Sequence, residues 1–178
     1  YIDVTQSITY KLTQSLPSDD KDEIVSRLLF KRANVIKNAS AKYQLLEGIL
    51  DDLGGEIKWT IVYSTPQQID RVMEIINKHK ILGHRFTMSQ GTKPEIKYGG
   101  LSERDFILRK FASGDYQVLV AMKCLDEGVD VPQARTAIIM ASSGNPREYI
   151  QRIGRIIRRY PDKEIATIYD LVVVPSFN

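Results

Sequence analysis

Apolar residues change their spacing along the chain, and these changes divide it into three stretches. Residues 1–16 alternate weakly and predict a linker or an edge segment. Residues 17–56 predict a helical lead-in packed on the domain, because Pro17-Ser18-Asp19-Asp20 is a helix-start signal and a helical stripe follows. Steps of three and four residues define that stripe, which Gly54-Gly55 ends: Ile36, Ala39, Tyr43, Leu46, Leu50 and Leu53.

Short β-rich runs alternate with helical patterns from residue 57 to residue 178, the main domain. The predicted strands are 57–63, 84–88, 117–122, 136–140 and 165–174. The predicted helices begin at Thr65-Pro66-Gln67-Gln68, at Ser102 and at Asn145-Pro146. Because several strands are apolar throughout, the pattern predicts an α/β fold with a parallel sheet covered by helices on both faces. Such sheets bind ligands at the carboxyl ends of their strands.

The composition excludes several classes of protein. With 178 residues, of which 43% are hydrophobic and 26% charged, the chain is too apolar to be disordered. One cysteine and two histidines argue against a structural zinc site, and the net charge of +3 is compatible with a nucleic-acid partner. No apolar run approaches the roughly 18 residues of a membrane span, so we expect a cytoplasmic protein without a membrane partner.

The helix predicted from residue 146 carries the most informative polar residues. Gln151, Arg155 and Arg158 are spaced i, i+4, i+7 and are expected on one face. A solvated basic helix is the simpler interpretation. Arginine, however, binds planar oxyanions through a rigid fork of donors, whereas lysine would serve equally well for solubility. The three side chains are therefore candidates for contact with an anionic ligand.

A second face of the same helix is apolar. Ile150, Ile153 and Ile157 share it and are expected to dock on the sheet. Gly154 lies inside the helix, where a glycine costs roughly 1 kcal/mol relative to alanine. That cost suggests that something packs close to the helix backbone at this position.

A polar loop follows the third predicted strand, with the sequence Lys123-Cys124-Leu125-Asp126-Glu127-Gly128-Val129-Asp130-Val131-Pro132. Gly128 permits a backbone conformation or a close approach that other residues resist. Asp130 could accept a hydrogen bond from a ribose hydroxyl. Because aspartate and glycine also fill ordinary turns, a purely structural turn is the alternative.

Four segments of the chain match the motifs of one family in order. Gln151-Arg152-Ile153-Gly154-Arg155-Ile156-Ile157-Arg158 is similar to an arginine-finger motif, Q-R-x-G-R-x-x-R, and residues 118–132 are similar to the motif before it, with its E-G-x-D-x-P core. Ile61-Val62-Tyr63-Ser64-Thr65 and Tyr98-Gly99-Gly100-Leu101-Ser102-Glu103-Arg104 match the opening strand and the middle of the domain. Over residues 57–174 the chain thus resembles the second, RecA-like motor domain of superfamily 2 helicases and translocases.

The resemblance implies a role for each matching residue. Arg155 and Arg158 look like arginine fingers directed at the γ-phosphate of ATP, with Gln151 beside that phosphate or the attacking water. Gly128 and Asp130 would lie near the ribose and the phosphates. The family touches the nucleic-acid backbone at five positions: Ser64, Thr65, Gly99, Gly100 and Lys123. Alternatively, Thr65 only caps its helix and the two glycines only shape a loop.

The phosphate loop G-x-x-x-x-G-K-[ST] does not occur in the chain. We therefore expect ATP and Mg²⁺ to be bound mainly by an N-terminal RecA-like lobe of the same full-length protein, and the chain alone to be inactive as an ATPase. Gln151 and Glu127 resemble DNA-acting members, such as restriction-enzyme motor subunits and excision-repair helicases, more than DEAD-box proteins. The resemblance thus implies a DNA helicase or translocase. A non-catalytic module that binds nucleic acid or protein is the alternative.

Overall fold

The structure is a computed structural model that describes residues 6, 10, 18–122, 130–141 and 146–173. Its described helices are α1 Ser18–Lys37, α2 Ala41–Leu53, α3 Ile69–Lys78, α4 Glu103–Ala112 and α5 Pro146–Ile156. Its described strands are β1 Thr60–Tyr63, β2 Gly83–Phe86, β3 Val118–Ala121, β4 Thr136–Ile139 and β5 Thr167–Asp170. Short 3₁₀ turns occupy Gly54–Glu56 and Ile96–Tyr98.

The helical lead-in consists of two helices rather than one continuous stripe. The predicted stripe from Ile36 to Leu53 is wrong in this respect, because the chain leaves the helix after Lys37. The carbonyl of Asn34 accepts hydrogen bonds from both the backbone N–H and the side-chain amide of Asn38, each at 3.0 Å. Such local side-chain bonds compete with the continuation of a helix.

The five strands form one parallel sheet in the order β2-β3-β1-β4-β5. The predicted α/β fold with a parallel sheet is therefore confirmed. The last strand differs most from its prediction, since β5 covers only four residues of the predicted strand 165–174, whose final residue lies outside the described ones. Ile165 and Val172, on either side of it, are exposed. Apolar residues beyond the ladder of an edge strand extend the sequence pattern without extending the strand.

Helices cover both faces of the sheet, as predicted. On one face, Ile61 and Tyr63 pack with α4 and α5 through Phe111 and Ile156. On the other face, Val62 packs with α2 and α3, and the buried helical residues there are Leu46, Leu50, Val72, Ile75 and Ile76. Successive strand residues thus enter different cores, which explains why the strands are apolar throughout.

The predicted helix start at Ser102 acts as expected, whereas the signal at Thr65 forms a turn and α3 begins only at Ile69, with Gln68 at the N-cap position. The backbone N–H of Thr65 donates to the side-chain oxygen of Gln68 at 2.9 Å, before α3. The hydroxyl oxygen of Ser102 accepts from the N–H of Asp105 at 3.0 Å and caps α4. Gly114 follows that helix with φ of +82°, a conformation that favours glycine.

The structure divides near Ser40. Ser40–Val172 form one compact unit that contains α2 and the whole sheet, whereas α1 belongs to a separate unit. All the predicted site residues fall within Ser40–Val172. The domain boundaries predicted after residues 16 and 56 stay predictions. In the described part of the chain, no helix combines the length and the apolar character needed to cross a membrane.

Candidate active site

The carboxyl ends of the five strands lie in register. Tyr63, at the end of β1, is level with Ala121 of β3 and with Ile139 of β4. Phe86 of β2 pairs with Ala121, and Asp170 of β5 pairs with Ile139. The residues that follow the strands therefore share one edge of the sheet: Ser64, Thr87, Met122, Met140 and Leu171. This is the edge at which parallel sheets bind ligands.

Ser64 and Thr65, two predicted nucleic-acid contacts, lie at this edge. The Ser64 hydroxyl is buried and makes no hydrogen bond with any residue the structure describes. A phosphate contact by Ser64 therefore requires this edge to open. Thr65 is half-buried, and its carbonyl accepts hydrogen bonds from the N–H groups of Gln68 and Ile69. Thr65 thus begins the turn that leads into α3, while Gln68 occupies the N-cap position. The nucleic-acid contact of Thr65 stays a prediction.

Gly99 and Gly100 form an exposed turn that ends the 3₁₀ segment. Their φ angles are +66° and +81°, and the N–H of Gly100 donates to the carbonyl of Glu95 at 3.1 Å. Among the described residues, no neighbouring atom lies within 4 Å of a Cβ placed on either glycine, so their backbone conformation rather than crowding favours glycine here. This geometry favours the loop-shaping interpretation, and backbone contact with nucleic acid stays a prediction. Lys123, the remaining predicted contact, lies outside the described residues.

The predicted finger residues lie on α5 and directly after it. Gln151 is exposed and Arg155 is half-buried, one helical turn apart. Arg158 lies beyond the helix, which ends at Ile156. The prediction that all three residues share one helical face is therefore wrong for Arg158, because the helix stops two residues before it.

Arg158 forms an ion pair with Asp130. Its Nη1 atom lies 2.8 Å from Oδ1 of Asp130, and the two side chains are 52% and 57% exposed. The fold thus joins a predicted finger to a predicted ribose ligand that lies 28 positions away in the sequence. Gly128, the other predicted nucleotide contact, lies outside the described residues. Because a guanidinium has five donors, one such bond leaves others for an oxyanion.

The apolar face of α5 differs from its prediction. Ile150 and Ile157 are 67% and 58% exposed, so they do not dock on the sheet. The residues that pack are Tyr149, Ile153 and Ile156, so Ile153 is the one member of the predicted stripe that lies against the core. No described atom lies within 4 Å of a Cβ placed on Gly154. The close packing predicted at this glycine is therefore not found within the described part of the chain.

Lys42 is not among the residues predicted from the sequence, although the structure buries it beside the candidate site. The Nζ of Lys42 donates to the carbonyl oxygen of Met140 at 2.6 Å. Burial lowers the pKa of Lys42, and the charge of Asp170 opposes that shift. The burial of Lys42 could have been predicted from its position four residues before Leu46, which places it on the buried face of α2.

Replacing Asp130 by asparagine is expected to change stability little. Both partners of its ion pair with Arg158 are more than half exposed, so water screens their attraction. We expect Asp130→Asn to lower the free energy of unfolding by less than about 1 kcal/mol in a urea titration. Asp115→Asn, which removes the exposed pair with Lys110, is the matched control. A loss above about 2 kcal/mol for Asp130→Asn alone would contradict this expectation.

Comparisons with known proteins agree with the motifs in the sequence. A family model described as "Helicase conserved C-terminal domain" matches residues 41–160. The DNA 3'-5' translocase XPB2 of Sulfurisphaera tokodaii is 52% identical over 66 residues, which cover 37% of this chain and 15% of that protein. The ATP-dependent RNA helicase p62 of Drosophila melanogaster is 33% identical over 111 residues, which cover 62% of this chain and 14% of that protein.

The fold also matches a solved structure. The C-terminal domain of the DEAD-box protein Dbp5 aligns with a TM-score of 0.60 and 19% identity, covering 77% of this chain and 73% of that domain. At this identity the match concerns the fold alone. It agrees with the RecA-like architecture expected from the sequence. The chain spans only 14% to 15% of the length of the two relatives named above.

Proposed function

We propose a function from one premise: the chain belongs to the helicase conserved C-terminal domain family, whose model covers residues 41–160. The resemblance drawn from the four motifs is thereby confirmed. In our proposal the chain is the C-terminal motor lobe of an ATP-dependent DNA helicase or translocase. It supplies arginine fingers to ATP held by an N-terminal RecA-like lobe, together with contacts to the nucleic-acid backbone.

The ion pair between Arg158 and Asp130 is the observation that carries this proposal. The two residues come from separate motifs, and the family resemblance assigns both of them to the same nucleotide. Their 2.8 Å separation supports a single surface for phosphate and ribose, because a ligand could reach both at once. Both side chains are exposed, so a nucleotide on a neighbouring lobe has access to them.

The chemistry of these residues suits ATP better than it suits a metal ion. A guanidinium binds phosphate oxygens through its fork, and a carboxylate accepts hydrogen bonds from ribose hydroxyls. Within the residues described, no group of three or more His, Cys, Asp or Glu side chains is arranged to hold a metal ion. In our proposal Mg²⁺ and most of the ATP contacts belong to the N-terminal lobe, and Mg²⁺ neutralises phosphate charge there.

The fingers act through charge and position. In phosphoryl transfer, negative charge spreads over the oxygens of the transferred group, and little covalent chemistry falls to the protein. Arg155 and Arg158 stabilise that charge when the lobes close, and Gln151 orients the phosphate or the attacking water. When the two lobes close, the Arg158 guanidinium releases the Asp130 carboxylate, to which it is bonded in this structure, and binds a phosphate oxygen instead. Opening and closing of the cleft then alternates the grip of the two lobes on the nucleic acid.

We propose DNA as the nucleic acid. The 52% identity to a protein named as a DNA translocase supports this choice, as do Gln151 and Glu127 within the motifs. The match to an RNA helicase at 33% identity makes RNA the necessary comparison. The comparisons give no support to a restriction-enzyme role. In our proposal, five residues contact the nucleic-acid backbone: Ser64, Thr65, Gly99, Gly100 and Lys123.

The 178-residue chain alone is expected to show no ATPase activity. It lacks the phosphate-loop sequence, so it would hold only half of an ATP site. We expect phosphate release at the level of a buffer blank, with and without DNA. The protein that includes both lobes should hydrolyse ATP, and duplex DNA should stimulate it more than duplex RNA. Turnover by the isolated chain, or stimulation by RNA alone, would contradict the proposal.

A further inference from the structure

A lysine beyond the end of α5 donates to three backbone carbonyls at one point. The Nζ atom of Lys163 donates to the carbonyl oxygen of Arg158 at 3.0 Å, to that of Pro132 at 3.2 Å, and to that of Ile156. An ammonium group has three N–H donors, so these three bonds use all of them. Bonds from a charged donor are also stronger than bonds between neutral groups. Lys163 therefore joins the end of α5 to a segment 31 positions earlier in the sequence.

The end of α5 needs such a donor. The last carbonyl groups of a helix have no N–H partner within the helix, and a lysine near that end can supply one. Ile156 is the last residue of α5 and is fully buried, so loss of the donor would leave a costly unsatisfied carbonyl. Burial and the nearby charge of Arg135 both lower the pKa of Lys163. The fold thus keeps an ammonium group here at an electrostatic cost, which the bonds to the carbonyls offset.

A tight turn presents Lys163 to these carbonyls. The backbone N–H of Lys163 donates to the carbonyl of Tyr160 at 3.1 Å and closes the turn. Within the turn, Asp162 has φ of +61°, and its carbonyl accepts a hydrogen bond from Nη2 of Arg135 at 2.8 Å. Arg135 directly precedes β4, a central strand of the sheet. The turn that carries Lys163 is therefore anchored to the sheet independently of α5.

We infer that Lys163 is a positioning residue that fixes the backbone beside both members of the Arg158–Asp130 pair. One of its acceptors is the carbonyl of Arg158 itself, and another is that of Pro132, two residues after Asp130. Because these bonds go to backbone carbonyls, they leave the Arg158 guanidinium able to turn from the carboxylate to a phosphate. The side chain changes its partner while its backbone stays in place. The catalytic consequence rests on the proposed function, whereas the structural consequence does not.

Hydrogen exchange in the 178-residue chain tests the structural consequence. Lys163→Met removes the ammonium group and keeps an unbranched side chain. The amide of Ile157 donates to the carbonyl of Ile153 at 3.0 Å at the end of α5, and we expect it to exchange about tenfold faster in this variant. Residues 69–78 of α3 should change less than about twofold. Lys80→Met replaces an exposed lysine before β2, the edge strand farthest from β5, and is the matched control that should leave both segments unchanged.

Two results would overturn the structural role. One is unchanged exchange at the end of α5, and the other is equal acceleration in α3 and α5, which would mean general loosening of the domain. Lys163 is half-buried in a turn whose other residues are exposed, so Lys163→Met is expected to fold. If it does not, Lys163→Gln keeps two N–H donors on a shorter side chain and should accelerate the same amide at least about threefold.

Steady-state kinetics on the protein with both lobes test the positioning role. We expect Lys163→Met to lower kcat about tenfold, with the KM for ATP within about twofold, because a misplaced guanidinium weakens transition-state contacts more than ATP binding. In an Arg158→Ala background, the same substitution should lower kcat by less than a further factor of about two, since the arginine that it positions is gone.

An unchanged kcat in Lys163→Met would refute the positioning role. A full tenfold loss in both backgrounds would refute it as well, because the effect would then not act through Arg158. If the unsubstituted two-lobe protein hydrolysed no ATP, the proposed function would fail, and the exchange data would still decide the structural role of Lys163.

Discussion

Arg155→Ala, introduced into the protein that includes both lobes, is expected to abolish nearly all nucleic-acid-stimulated ATP hydrolysis. An arginine finger is worth on the order of 10³ to 10⁵ in kcat, because it meets charge that develops only in the transition state. DNA affinity should remain within about threefold, since Arg155 is assigned to the nucleotide and not to the DNA. Phosphate release under saturating ATP and DNA, together with a DNA-binding titration, measures both quantities.

Two further variants isolate the guanidinium itself. Arg155→Lys keeps the positive charge and loses the planar fork, so we expect a loss of kcat of at least about 10²-fold. Arg159→Ala removes a nearby exposed arginine without an assigned role and should leave kcat unchanged. If the Arg155→Ala variant hydrolysed ATP normally, the arginine-finger role of Arg155 would be refuted. A non-catalytic binding module would then be the better interpretation.

Ile138→Ala is expected to destabilise the sheet more than a surface substitution of the same kind. Ile138 is fully buried in β4, which lies between β1 and β5. Its side chain packs in the core that the sheet forms with α2 and α3. Truncation of a buried isoleucine costs about 2 to 5 kcal/mol, because transfer free energy is lost and a cavity remains. Replacing a β-branched residue in a central strand adds to this loss.

A matched control and a built-in probe make this measurement direct. Ile96 is 98% exposed, so Ile96→Ala should change the unfolding free energy by less than about 0.5 kcal/mol. Trp59 is the sole tryptophan in the sequence, and its Nε1–H donates to the carbonyl of Ala112 at 3.2 Å. Its fluorescence therefore follows unfolding in urea. A loss below about 1 kcal/mol for Ile138→Ala would contradict the packing described for this core.

The apolar pattern was sufficient to predict the fold because helices cover both faces of this parallel sheet, so that strand residues on both faces are buried. Val118 and Leu119 are neighbours in sequence but enter different cores, so neither can be polar. The helix start at Ser102 was also predictable, because its cap uses residues three positions apart. Strand ends were predicted less well, since an apolar residue such as Ile165 looks the same whether it pairs or not.

Long-range side-chain contacts could not be predicted from the motifs. Periodicity places residues on one helix face, yet α5 packs through Tyr149, Ile153 and Ile156, of which only Ile153 belongs to the predicted stripe. The sequence was ambiguous there because four isoleucines lie between residues 148 and 158, and only packing on the sheet selects which of them are buried.

The resemblance to the helicase family implied that Arg155, Arg158 and Asp130 contact a nucleotide, and this stays a prediction. The amino-acid sequence alone determined the α/β class and the order of helices and strands. Each of these depends on residue type and on spacing within a short segment. Tertiary structure alone decided that Arg158 pairs with Asp130, and that the Lys42 ammonium is buried on the carbonyl of Met140. Those contacts join residues 28 and 98 positions apart, and only the folded sheet brings such distant segments together.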